Sequence, residues 1–196
     1  LLGTGTDNFF SILKKYIDVE IFEFPSASLV HTWKMPNPWR IKEGRIADQQ
    51  GNVLISTEDH PLCVWTGSQA IKTQISKKDL FQSHLAWSDR KDDAIPYLTV
   101  YYRDDWGFSI PKSKLKLFQD DAYDILIDAD QPLCSLKIAQ HVLPGKSRKS
   151  ILLVSHVDHP FQLADGLSGV AGLMALRDRL ASRKNLFTYK FLFVPE

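Results

Sequence analysis

Two apolar runs near the end of the chain flank a stretch in which the hydrophobic positions follow a different period. The first run, Ile151 to Val154, has the length and aliphatic character of a buried strand. From Leu167 to Leu180, apolar residues recur three and four positions apart, which predicts an amphipathic helix. The second run spans Tyr189 to Val194. This order predicts a right-handed crossover that makes the two strands parallel.

The opening of the chain predicts a helix followed by a strand. Thr6 and Asp7 can cap a helix whose apolar positions are Phe9, Phe10, Ile12, Leu13 and Tyr16. From Val19 to Phe24, apolar and acidic residues then alternate, which is typical of a half-exposed strand.

From about Val30 to Leu117 the pattern changes to short strands between turns rich in proline, glycine and aspartate. The strand-length segments are Arg45 to Ala47, Val53 to Ser56, Cys63 to Thr66 and Tyr97 to Tyr102. Residues 49–52, QQGN, have the composition of a hairpin turn, and a short helix is predicted from Ser76 to about Leu85. We interpret this region as a β-rich inserted domain, and all five tryptophans lie in it.

Two more strands are predicted after this region. Residues 123–127 and 135–140 have strand patterns, and the residues Asp130-Gln131-Pro132 predict a turn that joins them as an antiparallel pair. The whole pattern predicts an α/β fold, with a mixed, largely parallel sheet flanked by helices. We divide the chain into a first part of the main domain (1–30), the β-rich insert (31–118) and the continuation of the main domain (119–196).

Composition and charge exclude several classes of protein. The chain has 196 residues, of which 44% are hydrophobic and 24% charged, as in a globular protein with a core. A formal net charge of +1 gives no electrostatic reason to expect nucleic acid or an anionic membrane as partner. Two cysteines are too few for a disulfide framework, so a cytoplasmic location is the default expectation. No stretch approaches the roughly 20 apolar residues of a membrane span.

Four ionisable residues follow the two apolar runs and the loop between them. His156 and Asp158 come after the first strand, Asp165 precedes the helix, and Glu196 follows the second strand. Because parallel strands end at the same sheet edge, we expect these side chains to converge there. Imidazole and carboxylate groups suit zinc, and a cation would relieve the repulsion among three acids. The alternatives are ordinary ones: a loop histidine for His156 and a helix N-cap for Asp165.

The patterns H-x-D (156–158) and D-x-x-S-G (165–169), followed by a strand ending in Glu, resemble the cocatalytic di-zinc aminopeptidase family. The resemblance implies that His156 binds one zinc, that Asp165 bridges two zincs, and that Asp158 orients His156. It also implies that Glu196 is the general base and that the peptide after Asp165 is cis. The family usually has Asn or Asp after the bridging aspartate, whereas this chain has Gly166.

Upstream motifs are similar to an uncharacterised bacterial branch of that superfamily, whose members carry a domain inserted near the N-terminus. The motifs are WRIK (39–42), DAIPY (93–97), YYRDDWGF (101–108) and the pair His159-Pro160. In the resembled family, further metal ligands lie beyond the position of Glu196. Since Glu196 directly follows a core-type strand, we expect the chain to be an N-terminal fragment, inactive and weak in zinc binding by itself.

The aromatic residues of the insert allow two interpretations. Tyr101, Tyr102 and Trp106 either pack in a core or line a substrate groove. For function, we expect a zinc-dependent aminopeptidase-like hydrolase with two zincs in the full-length protein. Its partner would be a peptide or small amide substrate, and a homo-oligomer is compatible with this assignment. The alternative is a degenerate, non-catalytic protein that acts as a binding or assembly module through the aromatic insert.

Overall fold

The computed structural model describes residues 4–100, 102–132, 134–157 and 163–195. The chain forms two compact units. The first unit comprises Leu1–Pro38 and Leu133–Glu196, and the second unit comprises Trp39–Pro132. The sequence patterns placed the divisions at residues 30 and 118, whereas the structural units divide at Pro38 and Pro132.

The secondary structure alternates between strands and short helical segments. The strands of the described residues are β1 (Glu20–Pro25), β2 (Leu29–Val30), β3 (Trp33–Lys34), β4 (Arg40–Ala47), β5 (Val53–Ser56), β6 (Ile71–Ser76), β7 (Leu85–Ala86), β8 (Phe108–Ser109), β9 (Ala122–Asp130), β10 (Ser135–Leu143), β11 (Ser150–His156) and β12 (Thr188–Val194). The α-helices there are α1 (Thr4–Leu13), α2 (Lys77–Asp79) and α3 (Ser168–Ala181). Short helical segments of other types span Pro61–Cys63, Leu80–His84 and Lys112–Leu117, and Leu163–Leu167 form a kinked turn before α3.

The first unit contains a four-stranded sheet in the order β1-β10-β12-β11. Strands β11 and β12 are parallel from the pair Ser150 and Thr188 to the pair His156 and Val194, and α3 connects them. The predicted crossover is therefore confirmed. The pairs β1–β10 and β10–β12 are antiparallel, so the expectation of a largely parallel sheet is wrong. The reason is that only the pair β11–β12 is connected by a crossover helix, which makes strands parallel. Strands β1 and β10 come from distant parts of the chain and have no such connection.

One face of this sheet carries the core of the first unit. Helix α3 packs on β10, β11 and β12, and α1 packs on β10. The core residues are Phe10, Leu13, Ile17, Val19, Ala139, Val170, Phe191 and Phe193. Gly169 allows α3 to approach the sheet closely, since a Cβ there would lie 2.5 Å from the Ser155 hydroxyl oxygen.

The second unit contains an antiparallel sheet in the order β5-β4-β9-β6. The predicted turn at residues 49–52 is confirmed: Asp48 and Asn52 are hydrogen-bonded, and Gly51 has a φ of +86°. The predicted pairing of residues 123–127 with 135–140 is wrong. Strand β9 pairs with β4 and β6 in the second unit, while β10 pairs with β1 and β12 in the first.

The core of the second unit is large and rich in aromatic residues. Tyr123, Phe108 and Phe118 are among its largest fully buried side chains. Gly107 lies directly against Trp65, because a Cβ there would be 2.5 Å from the indole ring. No helix of the described ranges has the length and apolar character needed to cross a membrane.

Candidate metal site at the end of β11

His156 is the last residue of β11, and the alternation of the strand determines which side of the sheet it faces. Its neighbour Ser155 is 6% exposed beside Gly169, on the face that α3 covers. Successive side chains of a strand point to opposite faces, so His156 lies on the other face. Its side chain is 31% exposed. The imidazole is thus partly exposed at the end of a strand whose other face is covered by α3.

Asp165 lies in the turn that leads into α3. Its backbone angles, φ −97° and ψ 120°, are not helical, and neither are those of Gly166, at φ 90° and ψ −76°. Helix α3 begins at Ser168, with Leu167 as its N-cap residue and without a side-chain cap hydrogen bond. Asp165 is therefore not the N-cap of α3. The peptide bond between Asp165 and Gly166 is trans, which differs from the implied cis form.

The turn brings the carboxylate of Asp165 to the imidazole of His156. The distance between His156 Nε2 and Asp165 Oδ1 is 2.9 Å, and the Asp165 side chain is 51% exposed. Two of the four residues that the sequence predicted to converge therefore do so. The contact joins a nitrogen and an oxygen that could both act as metal ligands, although they are nine positions apart in the sequence.

The pair fits part of a zinc site. Two ligand atoms on a tetrahedral zinc lie about 3.4 Å apart, because each is about 2.1 Å from the metal. The observed 2.9 Å between Nε2 and Oδ1 needs only a small separation of the two groups to reach that value. Among the described residues, no group of three or more His, Cys, Asp and Glu side chains could hold a metal ion. What the described residues supply is thus one nitrogen and one carboxylate.

The other two predicted site residues, Asp158 and Glu196, lie outside the described residues. The backbone that leads to them is described. The Val157 amide donates a hydrogen bond to the Val194 carbonyl, with a distance of 3.0 Å. This bond extends the parallel pairing beyond His156, so both strands end at the same edge of the sheet.

The two predicted substrate-binding residues belong to the second unit and differ in exposure. Tyr102 is 70% exposed, and Tyr101 lies outside the described residues. Trp106 is 6% exposed and stacks on His84, with ring centroids 4.0 Å apart. His84 Nδ1 also lies 2.8 Å from the Trp106 carbonyl oxygen. Trp106 is therefore part of the core. Of the two interpretations of this residue, core packing and a substrate groove, the structure supports core packing.

Two residues that support the site received no role in the sequence analysis. Ser155 donates a hydrogen bond to the His156 carbonyl oxygen at 3.3 Å, and Gly169 lies against that serine. The signal that could have identified them is the pair of small residues at the end of a strand and the start of the following helix. Such a pair allows the helix to pack closely behind the histidine.

Comparison with known proteins gives a family model that matches part of the chain and a homologous relative. Residues 38–130 match a family model described as Domain of unknown function (DUF2172). The chain is homologous to a Clostridium acetobutylicum protein that is provisionally named a polysaccharide biosynthesis protein with an aminopeptidase-like domain. The two are 32% identical over 196 residues, which are all of this chain and 45% of the relative. The chain thus spans less than half the length of that relative.

Comparison with solved structures shows that this chain has a peptidase-like fold. A Clostridium acetobutylicum structure described provisionally as a peptidase gives a TM-score of 0.85 at 32% identity, covering 98% of this chain and 45% of that one. Two structures of BSAP, a zinc aminopeptidase from Bacillus subtilis, give TM-scores of 0.63 and 0.64 at 12% identity. They cover 98% of this chain and 56% of theirs. The likeness to BSAP shows the fold.

Proposed function

We propose that this chain belongs to a zinc-dependent hydrolase of the aminopeptidase kind, with part of the metal site at the end of β11. The observation that carries the proposal is the 2.9 Å contact between His156 Nε2 and Asp165 Oδ1. The fold shared with a zinc aminopeptidase and the homology to a protein with an aminopeptidase-like domain support it. The substrate would be a peptide or a related small amide with a free amino terminus.

In this proposal His156 and Asp165 hold the metal from two chain segments that meet at one sheet edge. Ser155 and Gly169 position His156 from behind, because the close packing of α3 on β11 holds the end of the strand in place. Asp158 would orient the imidazole, as carboxylates commonly do for metal-binding histidines, and Glu196 would move the proton. Zinc, when bound, would polarise the scissile carbonyl group and lower the pKa of water.

The glycine that follows Asp165 is compatible with this role. Gly166 has a φ of +90°, a conformation that residues with a side chain adopt only with strain. A Cβ at this position would otherwise meet only the His156 carbonyl oxygen, at 3.6 Å. Backbone conformation is thus a sufficient reason for glycine here, and the departure from the usual Asn or Asp does not require a degenerate site.

The proposal is tested by replacing Asp165 in the protein that contains this chain. Asp165→Ala removes a carboxylate ligand and should abolish both the zinc content and the hydrolysis of aminoacyl-amide substrates. Asp178→Ala is the matched control, because Asp178 is an exposed aspartate of α3 that pairs with the adjacent Arg177. Zinc is measured by elemental analysis after purification without added metal, and turnover with aminoacyl p-nitroanilides. An Asp165→Ala protein that keeps its zinc and its turnover contradicts the proposal.

A second measurement separates loss of metal from loss of folding. Zinc is titrated into this chain while the imidazole signals of its histidines are followed by nuclear magnetic resonance. We expect weak binding, since the two ligands among the described residues are fewer than a tetrahedral site needs, and the signal of His156 should change first. The same titration of the folded Asp165→Asn variant should leave that signal unchanged. A response shared equally among the histidines would show that the metal does not select this site.

A further inference from the structure

The sheet of the second unit has an outer face with a cavity that the proposed hydrolase does not use. The cavity has a volume of about 580 Å³, within the range of small-molecule sites. Its floor includes Ala47, Val53 and Leu126, and its charged residues are Arg45, Lys72 and Asp124. All of these residues lie within the second unit, so the inference does not depend on the metal site of the first.

The strand register places the two cations on either side of one apolar residue. Arg45 pairs with Leu126 across β4 and β9, and Leu126 pairs with Lys72 across β9 and β6. Neighbouring strands are about 4.8 Å apart, so the Cα atoms of Arg45 and Lys72 lie about 10 Å from each other. Both side chains are long enough for their charged ends to meet above Leu126.

The two cations are not equally available. Arg45 Nη1 lies 2.5 Å from Glu43 Oε1, which uses one of the five N–H donors of the guanidinium group. The side chain of Lys72 is exposed and has no hydrogen bond or ion pair with another described residue. Lys72 thus supplies the uncompensated positive charge of the cavity, and Arg45 supplies further directed donors.

Asp124 provides an acceptor at the next position along the same face. It pairs with Ala47 on β4 and with Gln74 on β6, two residues from Leu126, which places it about 7 Å along the strand. Its Oδ1 accepts one hydrogen bond from Gln74, so the carboxylate keeps capacity for another donor. The cavity therefore presents a cationic end, an acceptor end and an apolar floor between them.

We propose that this cavity binds a hydroxylated organic acid, such as a sugar acid. The carboxylate of the ligand would lie between Lys72 and Arg45, one of its hydroxyl groups would donate to Asp124, and its carbon skeleton would cover Leu126 and Val53. A singly charged anion fits better than a phosphate dianion. Glu43 and Asp124 lie on the same face and would repel a second negative charge.

The test uses glucuronate as the probe and glucose as its neutral counterpart. Each is titrated into the chain while the backbone amide signals of Ala47, Val53 and Leu126 are followed by nuclear magnetic resonance. Glucuronate should shift these signals in a saturable way, and glucose should not. Lys72→Gln should raise the glucuronate dissociation constant about fivefold, the effect of one exposed ion pair. Lys116→Gln, which removes an exposed lysine outside the cavity, should leave it unchanged.

Replacing Asp124 distinguishes a site that contacts both the carboxylate and a hydroxyl group of the ligand from a surface that attracts only its charge. Asp124→Asn removes a negative charge, so it should strengthen the binding of acetate, which has no hydroxyl group to donate. The same change weakens an acceptor, so it should weaken the binding of glucuronate. The proposal is overturned if glucuronate also binds more tightly to Asp124→Asn. It is equally overturned if glucuronate gives no saturable shifts at the three floor residues, or if Lys116→Gln weakens binding as much as Lys72→Gln.

Discussion

The two units of this chain differ in how completely each buries its own sheet. In the second unit, one sheet face carries a core in which Phe108, Phe118 and Tyr123 are each at most 1% exposed. In the first unit, α1 and α3 pack on one face of the sheet, as the burial of Phe191 and Phe193 shows. Its other face presents several apolar side chains to solvent, namely Phe22 (37% exposed), Phe24 (40%), Val142 (42%), Leu152 (55%) and Val154 (53%).

The difference in burial predicts that the two units differ in stability. Hydrophobic stabilisation is roughly proportional to the apolar area removed from water, so the second unit should resist unfolding more than the first. The candidate metal site belongs to the unit with the smaller buried core. Its candidate ligands lie at the end of β11 and just before α3, so they depend on the packing of α3 on β11.

The largest expected effect is a loss of stability that would make the second unit less stable than the first. Phe108→Ala deletes a fully buried ring from the second unit and should cost about 3–5 kcal/mol of unfolding free energy. Tryptophan fluorescence in a urea titration reports mainly this unit, since Trp39, Trp65, Trp87 and Trp106 belong to it. Leu117→Ala is the control, because Leu117 is 39% exposed and its loss should cost little. Equal costs for the two variants would show that the aromatic core does not dominate the stability of the second unit.

The next prediction concerns the two faces of the sheet in the first unit. Leu152 and Leu153 are adjacent leucines of β11, and only Leu153 packs against the core. Leu153→Ala should cost about 1–3 kcal/mol, because it opens space beneath α3. Leu152→Ala should cost less than about 0.5 kcal/mol in this chain. Amide hydrogen exchange of β11 and β12 measures both. A cost for Leu152→Ala that matches Leu153→Ala would show that the exposed face is covered in solution.

The sequence predicted the elements of the crossover well, because local patterns determine them, whereas the strands predicted at 63–66 and within 97–100 are only isolated bridges. The run Ile151 to Val154 and the helical spacing from Leu167 to Leu180 correspond to β11 and α3, and Tyr189 to Val194 corresponds to β12. Their connection by a single helix also determined that the two strands are parallel. The contact between His156 and Asp165 followed from the same crossover, since both residues lie at its carboxyl edge.

Strand partners that are distant in sequence could not be predicted in this way. An alternating pattern shows that Ile125 and Ile127 share a buried face, but it does not show which strand pairs with them. Their partners in β4 are Ile46 and Gly44, some eighty residues earlier in the chain. Residues 130–132 resemble a hairpin turn, yet they lead from one unit into the other. The burial of Trp106 could not be predicted for the same reason, because its ring stacks on His84, which belongs to a separate segment of the chain.

The two cysteines allow a smaller, pH-dependent comparison. Burial raises the pKa of the Cys63 thiol in the second unit to about 12 from 9.0. The unfolded chain therefore loses this proton at lower pH than the folded protein. The associated stability is fully present below pH 9 and is lost as the pH rises toward 12. At pH 10 the loss should be about 1.4 kcal/mol, and Cys63→Ala should remove this part of the pH dependence.

Urea titrations at pH 8 and pH 10, read by tryptophan fluorescence, measure this difference. Cys134→Ala is the matched control. The pKa of Cys134 is also raised by burial, but that residue belongs to the first unit and is less buried than Cys63. In the Cys134→Ala control, the second unit should still lose stability between pH 8 and pH 10. If Cys63→Ala loses as much stability between the two pH values as the unmodified chain, other groups control the alkaline transition.

The smallest effect is expected from an ion pair that joins α1 to the sheet of the first unit. Lys137 Nζ lies 2.6 Å from Asp7 Oδ1, and the hydrogen bond with Asp7 raises the pKa of Lys137. The contribution of the pair is thus fully present below about pH 10.5 and is lost as the pH rises through the raised pKa. Asp7 also lies in the first turn of α1, where a negative charge is favourable.

Asp7→Asn should therefore lower the stability of the first unit by about 0.5 kcal/mol at neutral pH, since both partners are partly exposed. Amide hydrogen exchange in α1 and β10 measures the change. Asp59→Asn breaks a comparable pair with Lys114 in the second unit, where the distance is 3.1 Å and both partners are more exposed. Its effect should be smaller, because solvent screens the more exposed pair more strongly. If Asp59→Asn costs more than Asp7→Asn, surface charges matter more to the second unit than its buried core suggests.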